Sequence, residues 1–80
     1  MKTIFDPNYR KLIGWMIAER KFKGLSQPEL AERLSLPSHS YISKIETFER
    51  KLDVMEYVRI CEVLGIDPRE GIELLMKKSK

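Results

Sequence analysis

The sequence has a single cysteine, four glycines, four prolines, and no apolar run near the roughly 20 residues that span a bilayer. One cysteine excludes an internal disulfide, and its apolar surroundings indicate that Cys61 is a small buried hydrophobe. The start, MKTIFDPNYRK, lacks the continuous apolar stretch of a signal peptide. We therefore expect a cytoplasmic protein with no membrane partner.

Residue sets typical of catalysis or metal binding are also missing. There is no glycine-rich phosphate loop, no Cys/His pair close in sequence and no clustered acid pair in an apolar setting. His39 is the one histidine, and with one distant cysteine it has no zinc ligand set around it. We expect no enzymatic activity, no metal and no cofactor.

The composition is that of a small globular chain. Of its 80 residues, 42% are hydrophobic and 34% are charged, which predicts one compact domain over residues 1–80 with a single small core. The net charge is +3, and the basic excess lies in residues 1–52. A polyanion is a reasonable partner, although a surplus this small is also common on proteins that never bind nucleic acid.

The spacing of apolar residues and the positions of capping residues, glycine and proline predict the first two helices. Helix 1 should begin near Asp6, with Pro7 in its first turn, and Trp15 should lie beside its apolar stripe. That stripe comprises Tyr9, Leu12, Ile13, Met16 and Ile17. After Gly24, Ser26 and Glu29 form a capping box that opens helix 2. This helix should bury Leu30, Ala31 and Leu34 before it is interrupted ahead of Pro37.

Helix 3 is predicted over about residues 38–46, with Ser38 as its N-cap. Ile42 and Ile45 should point inward, with Tyr41 partly buried beside them. The remaining side chains should then face outward, namely His39, Ser40, Ser43 and Lys44. Ser40 could instead share the capping role of Ser38, because serine is common at such positions.

The last two helices follow from the same kinds of signal. Asp53 and Glu56 form a second capping box, and Gly65 should end helix 4 in the left-handed conformation. Its predicted buried residues are Val54, Tyr57, Val58, Cys61 and Leu64, and Met55 is also assigned to the core together with Trp15 and Met16. Helix 5 opens at Asp67, Pro68 and Glu70, carries Ile72, Leu75 and Met76, and ends in a basic tail, residues 77–80, expected to fray.

Helices 2 and 3 form a predicted helix-turn-helix over about residues 26–46. A helix with small polar side chains can enter the DNA major groove, where each base pair presents a distinct pattern of donors and acceptors. In this geometry the first helix of the pair crosses the DNA backbone and directs its positive N-terminus toward a phosphate. Gln27 lies at that N-terminus.

Four segments, LSQPELAERL, SYISKIE, ERKLD and LGIDP, resemble in order and spacing the Xre or Cro/CI type of lambda-repressor-like domain. The resemblance covers about residues 9–75 and implies an all-α, five-helix fold that binds double-stranded operator DNA as a small transcriptional regulator, such as a repressor. By matching position it implies phosphate contacts at Gln27, Arg50 and Lys51. It implies base-reading contacts at His39, Ser40, Ser43 and Lys44.

Three features depart from the family pattern. The family usually has glycine where this chain has Ser35, and its turn is typically one residue shorter than Leu36, Pro37 and Ser38 make it here. Phe48 replaces a glycine or another small residue, and we expect it to fill a gap in the core rather than project into solvent.

Two further interpretations concern partners. A homodimer would place two recognition helices one DNA turn apart, and Ile72, Leu75 and Met76 offer an apolar face for it, with Met1, Ile4 and Phe5 as a competing surface. The alternative function is an antitoxin-like or anti-repressor-like module that mainly binds another protein. Without the family pattern, Lys44, Arg50 and Lys51 would be ordinary solvated charges.

Overall fold

The computed structural model describes residues 3–76. A short 3₁₀ turn, Thr3–Phe5, precedes five helices: α1 (Pro7–Phe22), α2 (Gln27–Arg33), α3 (Ser40–Glu46), α4 (Val54–Leu64) and α5 (Pro68–Met76). Residues 3–76 contain no strand, so the predicted all-α, five-helix fold is confirmed. None of these helices has the length and apolar character needed to span a membrane. The predicted fraying of the basic tail concerns residues outside the described range.

Local hydrogen bonds begin α1, α2 and α4 as predicted. The Asp6 carboxylate accepts bonds from the backbone N–H groups of Asn8 and Tyr9 at the start of α1. Complete capping boxes, Ser26 with Glu29 and Asp53 with Glu56, open α2 and α4. Gly24 and Gly65 adopt left-handed φ values of 74° and 70°, which let the chain turn away after α1 and α4.

The core lies around α1, which packs against α3 on one side and against α5 on another, while α4 contacts α2 and α5. The predicted inward residues of α1, α2 and α3 are buried, except Ile17, which is half-buried like Trp15. Cys61 is completely buried, as predicted. The buried apolar set is Tyr9, Leu12, Ile13, Met16, Leu25, Leu30, Ala31, Leu34, Ile42, Ile45, Tyr57, Ile60, Cys61 and Leu64.

The prediction for the start of α4 was wrong at two residues. Val54 and Met55 are 76% and 66% exposed, whereas Ile60, which was not assigned to the core, is buried. Val54 is the first residue of α4 and lines the rim of an open groove, so no neighbouring element covers it. Met55 follows about 100° further round the helix and points away from the core.

Phe48 fills a gap in the core, as expected. Its side chain is half-buried against the core, and the Arg10 guanidinium lies 4.4 Å from its ring centroid. Its backbone is left-handed, with φ 65°, and Ser35 is the other non-glycine residue in this conformation within residues 3–76, with φ 57°. Both are positions at which the resembled family has glycine or a small residue.

Candidate nucleic-acid interface

The segment from α2 to α3 is a tight turn between two seven-residue helices. Its backbone is closed by bonds from Ser35 N–H to the Glu32 carbonyl (3.0 Å) and from Leu36 N–H to the Ala31 carbonyl (2.9 Å). The left-handed Ser35 reverses the chain direction at this point. This geometry presents α3 beside α2 as a helix-turn-helix.

The helix α3 begins at Ser40, two residues after the predicted start at 38. His39 occupies the N-cap position with helical backbone angles and no side-chain cap bond. Ser38 nevertheless caps the helix, because its hydroxyl accepts a bond from the Ser40 backbone N–H at 3.1 Å. The predicted boundary at 38 was too early because Ser38 caps α3 from outside the helix and His39 is the N-cap residue.

The predicted base-reading residues lie together on the outer side of α3. His39, Ser40 and Lys44 are exposed, and Ser43 is half-buried between them. Ile42 and Ile45 point the opposite way, with 2% and 3% exposure. Spacings of one, three and four residues put the four polar side chains on one helical surface, which offers hydroxyl, imidazole and ammonium groups for hydrogen bonds.

A buried ion pair fixes the C-terminal end of α3. Glu46 accepts bonds from Arg20 Nε (2.7 Å) and Nη2 (2.9 Å), and Arg20 is only 7% exposed. Arg20 also donates to the Leu25 carbonyl, and the Gln27 side-chain amide donates to Glu46 at 2.8 Å. Glu46 therefore joins α3 to both α1 and the start of α2.

Sequence reasoning did not identify Arg20 or Glu46 as important. The two residues are 26 positions apart, so no local pattern connects them. One signal was available: Arg20 follows Met16 by four residues and so continues the buried stripe of α1. A charge on a buried stripe requires a partner.

A second ion pair lies at the other end of α3. The Arg50 guanidinium forms two 3.0 Å bonds with the Glu56 carboxylate, stacks 3.9 Å from the Tyr41 ring centroid and donates to the Tyr41 hydroxyl. Hydrogen bonding to Glu56 raises the pKa of Arg50. Burial would raise the pKa of Glu56, but bonds from Arg50, the Asp53 backbone and Tyr41 together lower it.

The three predicted phosphate contacts therefore have different surroundings. Gln27 is half-buried with its amide on Glu46, and Arg50 is paired with Glu56. Lys51 is exposed, as is Lys44 on α3, and neither forms an ion pair with any residue from 3 to 76. These two lysines are thus cations available to a ligand beside α3.

The part of the chain that the structure describes contains no group of three His, Cys, Asp or Glu side chains placed to hold a metal ion. Cys61 is enclosed by the core, and burial raises the pKa of its thiol.

Comparisons with known proteins agree with this geometry. The helix-turn-helix domain family matches residues 18–75. The solved structure of an XRE-family like protein from Pseudomonas syringae pv. tomato str. DC3000 is 38% identical to this chain, with a TM-score of 0.78 and coverage of 86% of this chain and 83% of that one. The comparison with curated proteins found no match. The resemblance seen in the sequence is confirmed, and the chain belongs to the Xre family of helix-turn-helix proteins.

Proposed function

We propose that this protein binds double-stranded DNA sequence-specifically, as a small cytoplasmic transcriptional regulator, with α3 in the major groove. The observation that carries the proposal is the outer side of α3, where four polar side chains lie on a helix anchored from behind by Ile42 and Ile45. The B-DNA major groove is about 12 Å wide and admits such a helix.

The side chains divide into two roles. His39, Ser40, Ser43 and Lys44 are proposed to read base edges, because hydroxyls bond to either donors or acceptors and lysine bonds to guanine acceptors. Lys51 is proposed to contact a phosphate, and Gln27 retains a second amide hydrogen for the same purpose. The pairing of Arg50 with Glu56 points to a different role for that residue.

Selection of bound duplexes from a random pool tests base reading. The double variant Ser43→Ala, Lys44→Ala should show weaker sequence preference than the wild type, because each direct base contact typically contributes about 1–3 kcal/mol. Lys11→Ala, which removes an exposed charge from α1, is the matched control and should select the wild-type sequence. If the double variant kept both affinity and preference, α3 would not be the reading element.

A salt titration tests the phosphate contact. Lys51→Ala should weaken binding to all sequences alike and reduce the salt slope by about one unit, since one counterion fewer is released. An unchanged slope would remove Lys51 from the interface.

We propose that the DNA-binding form is a homodimer associated through α5. An apolar groove of about 460 Å³ lies between α1, α4 and α5 and includes Tyr9, Leu12, Leu52, Val54, Tyr57, Ile72 and Leu75 in its lining. Of the lining residues on α5, Ile72 is 43% exposed and Leu75 38%, and Met76, the last residue of α5, is 73% exposed. No residue of α2 or α3 lines the groove, so a second copy there leaves the reading side chains open. A seven-residue recognition helix spans few base pairs, and a two-fold dimer doubles the sequence that is read.

Sedimentation with and without the selected operator tests the dimer. Leu75→Asp, Met76→Asp should shift the protein to monomer, whereas Phe22→Asp in free protein, at a side chain that is 84% exposed on α1, should not. A wild type that stays monomeric on DNA would overturn the dimer. Equal dimerisation of wild type and the α5 variant would overturn only its placement.

The same groove favours the alternative function, an antitoxin-like or anti-repressor-like module that binds another protein through α5. Affinity that falls steeply with salt indicates phosphate contacts, whereas an apolar interface lacks that dependence. Absence of duplex binding at low salt would exclude DNA binding and leave this alternative.

A further inference from the structure

We infer that Arg50 and Glu56 are positioning residues that set the orientation of α3 through Tyr41, and that Arg50 does not contact a DNA phosphate. The inference rests on the proposed DNA-binding function. It gives Arg50 a different role from the DNA phosphate contact that the family resemblance implies.

The donors of Arg50 are already used. Nη1 donates to Glu56 Oε1 (3.0 Å) and to the Lys51 carbonyl (3.2 Å), and Nη2 donates to Glu56 Oε2 (3.0 Å) and to the Tyr41 hydroxyl. Four bonds match the four hydrogens that the two terminal nitrogens carry, and only Nε–H remains. The Glu56 carboxylate also neutralises the Arg50 guanidinium, whose charge would otherwise attract a DNA phosphate.

The acceptor is itself fixed in place. Glu56 Oε1 accepts a 3.0 Å bond from the Asp53 backbone N–H, which is half of the capping box that opens α4. The next residue, Tyr57, is 6% exposed in the core. Arg50 is therefore held against the first turn of α4, which cannot move without disturbing the core.

Tyr41 transmits this position to α3. It is the second residue of α3, directly after Ser40, and its half-buried ring lies 3.9 Å from the Arg50 guanidinium carbon. A shift of Tyr41 would rotate or tilt the helix and carry Ser40, Ser43 and Lys44 with it. Because α3 has only seven residues and its N-cap residue His39 makes no side-chain cap bond, the bond from Arg50 to Tyr41, with Arg50 held by Glu56 of α4, helps to orient its N-terminal end.

The two roles predict opposite results for Glu56→Gln. If Arg50 bound a phosphate, removing the carboxylate charge would release the guanidinium and strengthen DNA binding, with a steeper salt slope. If the pair positions α3, Glu56→Gln should reduce operator affinity about tenfold and relax the selected sequence. Asp67→Asn is the matched control, because it removes a carboxylate charge from an exposed ion pair with Arg69, and it should leave the selected sequence unchanged.

Variants of Arg50 give the second comparison. Arg50→Ala should relax base preference while leaving the salt slope at its wild-type value, and Arg50→Lys should fail to restore the preference because lysine cannot form the two-pronged bond. A slope that falls by about one unit with unchanged base preference, or full rescue by Arg50→Lys, would overturn the inference.

Amide hydrogen exchange in the free protein provides a readout without DNA. In Arg50→Ala and Glu56→Gln, amides of α3 should exchange faster than in the wild type, while those of α1 should not change. Unchanged α3 exchange would overturn the positioning role even if DNA binding were altered. A wild type that selects no sequence, with faster α3 exchange in both variants, would overturn the proposed function and leave the structural link intact.

Discussion

The two sides of this small fold, around α3 and around α5, share one core but differ in their outward chemistry. The α3 side presents His39, Ser40 and Lys44, whereas the α5 side presents Ile72, Leu75 and Met76. Exposed polar groups are already satisfied by water, and a hydrophilic ligand must compete with that water through directed bonds. An exposed apolar patch is stabilised whenever another apolar surface covers it. The difference teaches that a fold this small can carry a polar surface and an apolar surface on separate helices.

The two sides are also held in place differently. Ion pairs at both ends of α3 fix the direction of that helix, because each bond has a preferred angle as well as a distance. On the other side, α5 packs closely at Gly71, where an added Cβ would approach Tyr57, Leu12 and Trp15. Ion pairs thus set the orientation of α3, whereas the lack of a side chain at Gly71 lets α5 pack close to α1 and α4.

The largest expected effect comes from breaking the buried pair on the α3 side. Glu46→Ala should lower the free energy of unfolding by about 3–5 kcal/mol, because it leaves the Arg20 charge buried without its carboxylate. Denaturant unfolding measures this, with Glu62→Ala, an exposed carboxylate on α4, as control. Equal losses in the two variants would show that Glu46 does not hold α3.

Filling the close approach on the α5 side should have the next largest effect. Gly71→Ala should reduce stability by about 1–3 kcal/mol, because the new Cβ would lie 2.6 Å from Leu12 Cδ1 and 2.7 Å from a Trp15 ring carbon. Gly14→Ala is the matched control on α1, where no atom lies within 4 Å, and it should stabilise the protein by about 0.5–1 kcal/mol. If both variants stabilised the protein in denaturant unfolding, α5 would not be tightly packed.

Acidic pH should weaken the ion pair between Glu56 and Arg50 more than it weakens the apolar contacts of α5. A carboxylate whose pKa is lowered by folding stabilises the native state above its ordinary value of 4.5, and this stabilisation is lost as the pH falls through the folded-state pKa. The unfolding free energy should therefore fall below pH 4.5, and less steeply in Glu56→Gln. Identical pH profiles for the two proteins would contradict a stabilising role of the Glu56 charge.

The smallest expected effect is at the turn before α3. Ser35→Gly should stabilise the protein by about 0.5 kcal/mol, since glycine adopts φ 57° without a Cβ clash but loses more backbone entropy on folding. Ser43→Gly, inside α3, should instead be destabilising by a similar amount. Thermal unfolding measures the stability of both variants. If Ser35→Gly were destabilising, the Ser35 side chain would stabilise the protein by more than its strained backbone costs.

Most of the fold could be predicted, because the signals act over three or four residues. Ser26 with Glu29, Asp53 with Glu56, and Gly65 all lie where the structure uses them. The start of α3 was less predictable, since Ser38 supplies the cap bond while the following residue, His39, occupies the N-cap position with helical angles. Exposure at Val54 was also unpredictable, because it depends on the open groove beside α4 rather than on helical spacing.

The candidate site was predictable only on its outer side. The positions of His39, Ser40 and Lys44 follow from the inward direction of Ile42 and Ile45, which helical periodicity alone determines. The surroundings of Gln27 and Arg50 did not follow, because their partners Glu46 and Glu56 lie on other helices, which only the packing of the fold brings close. Their roles in DNA binding stay predictions.

By itself, the amino-acid sequence determined the caps that open α1, α2 and α4, which side of most helices is buried, and membership of the Xre family, because these depend on local bonding and on the order of residues. The tertiary structure alone decided that Glu46 joins Arg20 across 26 positions, that Arg50 is paired with Glu56, and that α5 leaves an apolar groove open. Such contacts depend on the angles at which whole helices pack, and those angles follow from the shape of the complete core rather than from any short segment.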